Sequence, residues 1–540
     1  MLTNRENLFL LVAIFLCACS SGKDPESADA PTDTEQDSGS DTESDADSDT
    51  DTDADTDSDA NSDADTDTDS DGNGSWAYPP VVCAEPAAWE TPPARSVVGN
   101  GTAASCTGAA LRSALGTGAH VTFDCGANPV VIDVTAEIEV ASGTVIDGEE
   151  NHITLDGGGT NRILAVPSNG TLSVRNLRFI NGKTNESEDA DGIGGAVAGN
   201  WRSAVEVRHC IFENNSAGRG GGAVAVWTGS SLTVVGSEFR NNASYYGGAI
   251  YSLLSELNVV NSRFVGNDTV DNGWGEGGAI GTDGASEDPD DDVGGTIHIC
   301  GCDIRNNHGR HSGGGAYIWV YPPDEVTVDR TTVESNEIGA GGLGGGMRIS
   351  NGLIRVTASS FISNMSDNHG GALYLDCAPE CDIVNSTFFG NAAETYGGAI
   401  SSGAAVNINN VTFAKNSAGG HGGALFGGDG FVIHNTVFWD NSAGNPWNQA
   451  NNCGSTLTGD HVLQWRSESG DGGGDTCVPD ILVQDPLLSS PPADNGGPTH
   501  TLLPSDDSPL LQAGQDCAIT DQRGEARATN HCDLGAVELP

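Results

Sequence analysis

The sequence predicts an all-β chain built on a right-handed parallel β-helix of about ten to thirteen coils, capped at both ends. Three observations predict it. A large apolar residue followed three positions later by Asn recurs as Phe212/Asn215, Phe239/Asn242, Phe264/Asn267, Ile304/Asn307, Val333/Asn336, Phe361/Asn364, Phe388/Asn391, Phe413/Asn416 and Phe438/Asn441. The apolar positions lie 27, 25, 40, 29, 28, 27, 25 and 25 residues apart. Between them falls a second motif, two glycines, a small residue and an apolar one, as in Gly221-Gly222-Ala223-Val224, Gly247-Gly248-Ala249-Ile250 and Gly314-Gly315-Ala316-Tyr317. Finally, runs such as Ser231–Val235 and Glu256–Val260 alternate with the period of two that marks strands.

The elements divide the chain into 1–19, 20–75, 76–150, 151–450 and 451–540. The first segment is an address. Leu8 to Ala18 is an apolar stretch of signal-peptide length, too short to span a bilayer, and it ends Leu16-Cys17-Ala18-Cys19. This resembles the lipobox of bacterial lipoproteins, which implies lipid attachment at Cys19, a membrane partner through that lipid, and an outer-membrane, surface-exposed location. The second segment is an acidic tether, with 21 Asp and Glu between Asp24 and Asp71 and nothing that could bury a core. Over the whole chain 22 Lys and Arg face 76 Asp and Glu, a formal net charge of −54, which excludes nucleic acid as a partner.

Segment 76–150 should hold the N-terminal cap and first coils. Cys106–Leu115 reads as a short amphipathic helix, Val121–Cys125 as a strand, and Val145–Gly148 and Ile153–Gly157 as the first coil edges. In 151–450 each coil should have three short strands and three turns. The Phe residues should stack inside. The Asn residues should sit where each coil bends and bond from coil to coil as a ladder, and the glycine pair should permit a second close bend.

The paired Gly-Gly-Ala-Ile and Phe-x-x-Asn motifs, from about Phe179 to Asn441, resemble the repeats of chlamydial polymorphic outer-membrane proteins. The resemblance implies a surface passenger of adhesin type on the fold of pectin-lyase-like solenoids. Those proteins end in an outer-membrane barrel, whereas this sequence ends Leu534-Gly535-Ala536-Val537-Glu538-Leu539-Pro540. Segment 451–540, with Asp494-Asn495-Gly496-Gly497-Pro498-Thr499 and Cys532-Asp533-Leu534-Gly535-Ala536, resembles the choice-of-anchor Q module that closes secreted bacterial β-helix proteins.

Of 14 Cys, 12 remain beyond Cys17 and Cys19, an even number suited to disulfides in an exported chain. Proximity pairs Cys106 with Cys125, Cys377 with Cys381, Cys453 with Cys477 and Cys517 with Cys532, leaving Cys83, Cys210, Cys300 and Cys302 unassigned.

The functional reading is a non-catalytic adhesin or envelope binding protein, for polysaccharide or another cell's surface. If the apolar residue ending each glycine motif points inward, the next points outward. These positions are Ala198, Ala225, Tyr251, Gly281, Ile318, Arg348, Tyr374, Ser401 and Phe426, with Trp227 on the same side. Trp227, Tyr251, Tyr374 and Phe426 are therefore the candidate sugar-stacking residues. The alternative is a polysaccharide lyase or glycoside hydrolase on the same fold, and a third reading is a structural spacer. Against a lyase, only Lys183 and Lys415 are available as lysine bases, and Lys415 falls in a turn slot suited to solvent decoration. No catalytic residue is assigned. No cofactor is required, and calcium at Asp290, Asp291 and Asp292, in the inserted loop from Asp283 to Gly295, is the one admitted.

Overall fold

The computed structural model describes residues 78–540 except 186–188, 271–274, 290–291, 340, 429, 446–450 and 473. Cys19, the tether, Asp290 and Asp291 lie outside the described residues.

Residues Arg95 to Val483 form a parallel β-solenoid of about 13 turns. One coil shows the plan: Val224–Val226, Ser231–Val235, Glu238–Arg240 and Ala243–Ser244. The next coil repeats it as Ile250–Leu253, Glu256–Val260, Arg263–Val265 and Asp268–Thr269, each strand parallel to its predecessor. Coils thus carry four strand segments, not three. The middle two belong to one 26-stranded sheet, and the others form sheets of 11 and 8 strands. The extra corner comes from a residue with positive φ between the middle two segments, such as Gly236 (55°), Asn261 (49°) or Asn385 (49°).

Inward positions must repeat, because each contacts its equivalent one coil away. Phe179, Phe212, Phe239 and Phe264 stack with ring centroids 4.8, 4.9 and 4.8 Å apart, close to the ~4.8 Å strand spacing. Ile304 and Val333 interrupt the stack, and Phe361, Phe388, Phe413 and Phe438 resume it. The asparagines form a continuous ladder. Asn336 Nδ2 donates to Asn364 Oδ1 (3.0 Å) and to the Ile304 carbonyl (2.8 Å), while its Oδ1 accepts from Asn307 N (3.0 Å) and Nδ2 (2.9 Å). The bend itself is made by the preceding residue: Asn214, Asn241, Ser335 and Lys415 have φ between 52° and 57°. The ladder Asn is therefore a hydrogen-bonding residue rather than the bending one.

The first glycine of each pair has positive φ, as at Gly221 (62°) and Gly247 (57°). A Cβ on the second glycine would strike the neighbouring coil, as Gly222 would strike the Gly248 carbonyl.

At the N-terminal end the helix Gly108–Leu115 is capped by Thr107, whose side chain accepts from Ala110 N at 3.2 Å. It buries Leu111 and Leu115 fully against the open end of the core, and Cys106 is bonded to Cys125. At the other end Thr458–Trp465 and Leu482–Val483 add further strands, with Cys453 bonded to Cys477.

The rest of segment 451–540 does not sit on the end. It runs back along the extra corner of the 26-stranded sheet. Thr499 Oγ1 donates to the Ala358 carbonyl (3.0 Å), Asn385 Nδ2 to the Thr520 carbonyl (2.6 Å), and Asn435 Nδ2 to the Gln515 carbonyl (2.8 Å). Gln522 is buried between Thr387 Oγ1 (2.7 Å) and Ser360 Oγ (2.8 Å). This departs from a terminal cap because the corner exposes unpaired side-chain and backbone groups, which the returning segment satisfies. Residues 78–94 use the same corner from the other direction. Asn261 Oδ1 accepts from Val82 N (2.9 Å) and Cys83 N (2.8 Å), and Glu206 Oε1 accepts from Trp89 N (3.1 Å).

Candidate functional site

The outer side of the 11-stranded sheet begins with alanine on successive coils and changes residue at every coil from Tyr251 onward. One row, given by the strand register, is Ala198, Ala225, Tyr251, Gly281, Tyr317, Arg348, Tyr374, Ser401 and Phe426. It corrects one expected position. The glycine run before Ala316 is three long, and Gly313 rather than Gly314 takes the positive φ (66°). Ile318 is therefore inward and fully buried, and Tyr317 faces out. A second row, immediately before each glycine pair, is Gly220, Tyr246, Glu276, Ser312, Leu343, His369, Tyr396 and His421.

The two rows meet at a cleft of about 310 Å³. Its floor is Gly281, the one outward position without a side chain between Tyr251 and Tyr317. Aromatic walls come from Tyr246, Tyr317, Trp319 and Tyr321, and polar groups from Arg219, Glu276 and Asp283. Tyr246 and Tyr251 stack at 5.5 Å, and Tyr317 and Trp319 at 6.4 Å. Tyr321 OH donates to Asp283 Oδ1 at 2.9 Å, and His311 Nδ1 lies 3.6 Å from Glu276 Oε1.

Burial pushes the Asp283 carboxyl above its ordinary value. The Tyr321 hydrogen bond pulls it back, and the Glu276 charge adds to the rise. Burial likewise raises the Tyr246 phenol to about 12 and the Tyr251, Tyr317 and Tyr321 phenols above their ordinary value, so all four remain O–H donors at neutral pH.

The irregular coil spacing of 40 sits beside this cleft. Asp283 opens the inserted loop, and the buried Asp324 carboxylate fixes its two roots by accepting from Ala285 N (2.9 Å) and Gly295 N (2.7 Å). Glu287 in the loop reaches back to Arg202. Asp292, the one described member of the acidic triplet, is exposed.

Of the candidate stacking residues, Trp227 and Tyr251 are not free platforms. Trp227 is 6% exposed and Tyr251 3%, because they pack on each other's coils with Ala198 and Ala225. Tyr251 lies flat over the backbone at Gly220 and still lines the cleft. Tyr374 is half-buried beneath Arg348. Phe426 belongs to a separate aromatic group, 4.3 Å from Tyr396, which in turn stacks on His369 at 5.1 Å. Lys415 is exposed but engaged: its Nζ donates to Ser490 Oγ (3.0 Å) and lies 5.0 Å from the Trp439 ring.

The residues the sequence did not single out are Arg219, Tyr246, Glu276, Asp283, Tyr317, Trp319 and Tyr321. A signal existed for two of them, since Tyr246 and Glu276 each stand directly before a glycine pair.

The structure joins Cys106–Cys125, Cys377–Cys381, Cys453–Cys477 and Cys517–Cys532, and also Cys83–Cys300 across 217 residues. Cys210 and Cys302 are free and buried, and burial pushes both thiols up to about 12. Among the described residues, the one group of three potential metal ligands is Cys83, Cys300 and Asp329, and its two sulfurs are already bonded to each other.

Residues 209–226 and 410–428 match the family described as the Chlamydia polymorphic membrane protein (Chlamydia_PMP) repeat. These two stretches of the chain are similar to that repeat. Both matched stretches run from the corner before an inward Phe to the strand after the next glycine pair. Among solved structures, the chain is similar to the crystal structure of pectate lyase Pel9A, with 14% identity, 80% of this chain and 90% of that chain covered, and a TM-score of 0.30. It is also similar to the Dettilon tailspike protein (gp208), with 13% identity, 64% of each chain covered and a TM-score of 0.25. No curated protein matches the sequence.

Proposed function

We propose that this chain is a cell-surface glycan-binding protein, held to the outer membrane by a lipid on Cys19 and displayed beyond it by the acidic tether of 20–75. The observation that carries the reading is the cleft over Gly281. Aromatic rings from several successive coils line one groove whose polar groups are carboxylates, phenols and a guanidinium. Apolar faces of sugar rings stack on such rings, and their hydroxyls bond to such groups. The polymorphic membrane protein repeats support a surface location.

A second reading has its own observation. Glu276 and Asp283 share the cleft, and Asp283 is held protonated to higher pH than an ordinary carboxylic acid. A glycoside hydrolase uses one carboxyl as a proton donor and a second as base or nucleophile.

One experiment separates the two. The protein and its Trp319→Ala and Asp283→Asn variants are incubated with a panel of polysaccharides, and retained polymer and new reducing ends are both measured. Binding lost in Trp319→Ala, with no reducing ends from any protein, is the expected result. Reducing ends that vanish in Asp283→Asn would replace binding by hydrolysis, and undiminished binding by Trp319→Ala would remove the cleft from the reading.

A further inference from the structure

The arginines of this acidic chain are almost all committed to carboxylates. Of the eighteen among the described residues, fifteen have a carboxylate oxygen within 4.0 Å. Arg112 gives its guanidinium to the carbonyls of Ala136 (2.7 Å) and Glu137 (2.9 Å). The two that remain are Arg219 and Arg348, and both belong to the outer face of the 11-stranded sheet.

Neither is simply projected into water. Arg219 lies over the Trp227 ring at 5.0 Å. Arg348 lies over Tyr317 (5.6 Å), Trp319 (5.8 Å) and Tyr374 (5.5 Å), and its Nη1 donates to Ser312 Oγ at 2.9 Å. In both, the Nε is buried without a hydrogen-bond partner. A guanidinium has five donors in a fixed fork, and a buried donor without an acceptor costs free energy. Stacking on rings holds each fork in one orientation and leaves its edge donors for an acceptor.

Arg219 directly precedes the coil of Ala225, and Arg348 stands four coils further along the sheet. At the strand spacing this separates them by roughly 19 Å. Between them lie Tyr251, the Gly281 floor, Tyr317 and Trp319. The arrangement is an aromatic groove with one uncommitted cation toward each end. Asp283 feels the Arg219 charge and Asp376 the Arg348 charge, but no carboxylate among the described residues is within ion-pair distance of either guanidinium.

We propose that the cleft takes an anionic glycan laid along the sheet across the coils, with Arg219 and Arg348 each receiving a carboxylate or sulfate of that chain. The inference rests on the glycan-binding reading and names its ligand class. The net charge of −54 does not oppose it at contact range, because exposed charges beyond about 8 Å are screened at physiological salt. What decides recognition is the local balance, in which two forks able to bind such oxyanions in two-point geometry stand against the carboxyls of Glu276 and Asp283.

The test uses the full chain, with polygalacturonate as the carboxylate arm, dextran sulfate as the sulfate arm and dextran as the neutral control. The expected result is at least tenfold tighter binding of one anionic polymer than of dextran. Oligomers long enough to span both arginines should bind more tightly than the monosaccharide. Arg219→Gln and Arg348→Gln should each weaken anionic binding by roughly tenfold to a hundredfold. Arg355→Gln, an exposed arginine on the 26-stranded sheet, should leave it unchanged. Thermal unfolding of each variant checks that the rod is intact. Equal binding of dextran and the anionic polymers, or unchanged anionic binding in both glutamine variants, overturns the anionic assignment and leaves glycan binding standing. Failure of all three polymers to bind removes both.

Discussion

The asparagine ladder and the outer face of the 11-stranded sheet are rows on the same coils, yet they follow opposite rules. Along the ladder every coil from Asn215 to Asn441 presents the same residue, and each amide bonds to the next at 2.9–3.1 Å. Along the outer row the register starts with Ala198 and Ala225 and then reads Tyr251, Gly281, Tyr317, Arg348, Tyr374, Ser401 and Phe426, with no two neighbours alike from Ala225 on. The difference follows from what each row touches. A ladder residue is surrounded by its own equivalents, so a change on one coil orphans groups on two others. An outer residue packs on unlike near neighbours, as Tyr251 does, or meets solvent, and a change there is felt locally. Sameness therefore marks what stacks the coils, and irregularity marks where the chain can recognise something.

The largest expected effect comes from breaking the first row. Asn336→Ala removes four buried hydrogen bonds and leaves Asn307 N without its acceptor. At roughly 1–3 kcal/mol for each orphaned group, the loss should be about 3–5 kcal/mol in denaturant unfolding. Leu343→Ala, in the row before the glycine pairs on the same coil, should cost less than about 1 kcal/mol. Comparable losses from the two would erase the distinction between the rows.

A smaller effect should come from the corner, where the two terminal segments lie. Residues 78–94 are held there by Cys83–Cys300 and by the Asn261 and Glu206 side chains. A crosslink closing a loop of 217 residues is expected to contribute about 2–4 kcal/mol. In a Cys83→Ser/Cys300→Ser variant, limited proteolysis should cut within 78–94 well before the coils are attacked. Simultaneous digestion of segment and coils would show instead that the segment is integral to the rod.

The same contrast explains what the sequence revealed. The β-helix, the stacked Phe residues and the Asn ladder were legible because inward positions repeat, and repetition is visible without knowing any contact. The four-segment coil was not, since its extra corner is made by residues as different as Gly236, Asn261, Arg330 and Ala358, which share only a positive φ. The returning C-terminal segment was hidden because its partners are remote, as Gln522 and Ser360 are, 162 residues apart. The cleft was half legible. Tyr251 was on the expected face, but the run Gly313-Gly314-Gly315 displaced the register by one and concealed Tyr317. Tyr246 and Glu276 stood in a row that periodicity alone does not distinguish from a turn, and Arg219 stands one residue before that row.

The smallest expected effect is a pH dependence at the cleft. Burial, reinforced by the Glu276 charge, lifts the Asp283 carboxyl above its ordinary 3.8, against the opposing pull of the Tyr321 hydrogen bond and the Arg219 charge. The folded chain therefore keeps this proton to a higher pH than the unfolded chain does. Between 3.8 and the raised value the folded state binds more protons, so this group's contribution to stability falls as pH rises through that window. Above it, the ionised carboxylate is a fixed penalty. Asp283→Asn removes the titration while its amide oxygen still accepts from Tyr321 OH. The difference in urea midpoint, variant minus wild type, should thus grow as pH rises from below 3.8 through the raised value and then level off. A difference that shrinks over that range would mean that the ionised carboxylate is stabilised in the fold. The outer row would then be tuned for rigidity, as the ladder is, and the reading of Asp283 as a buried acid beside the ligand groove would fall with it.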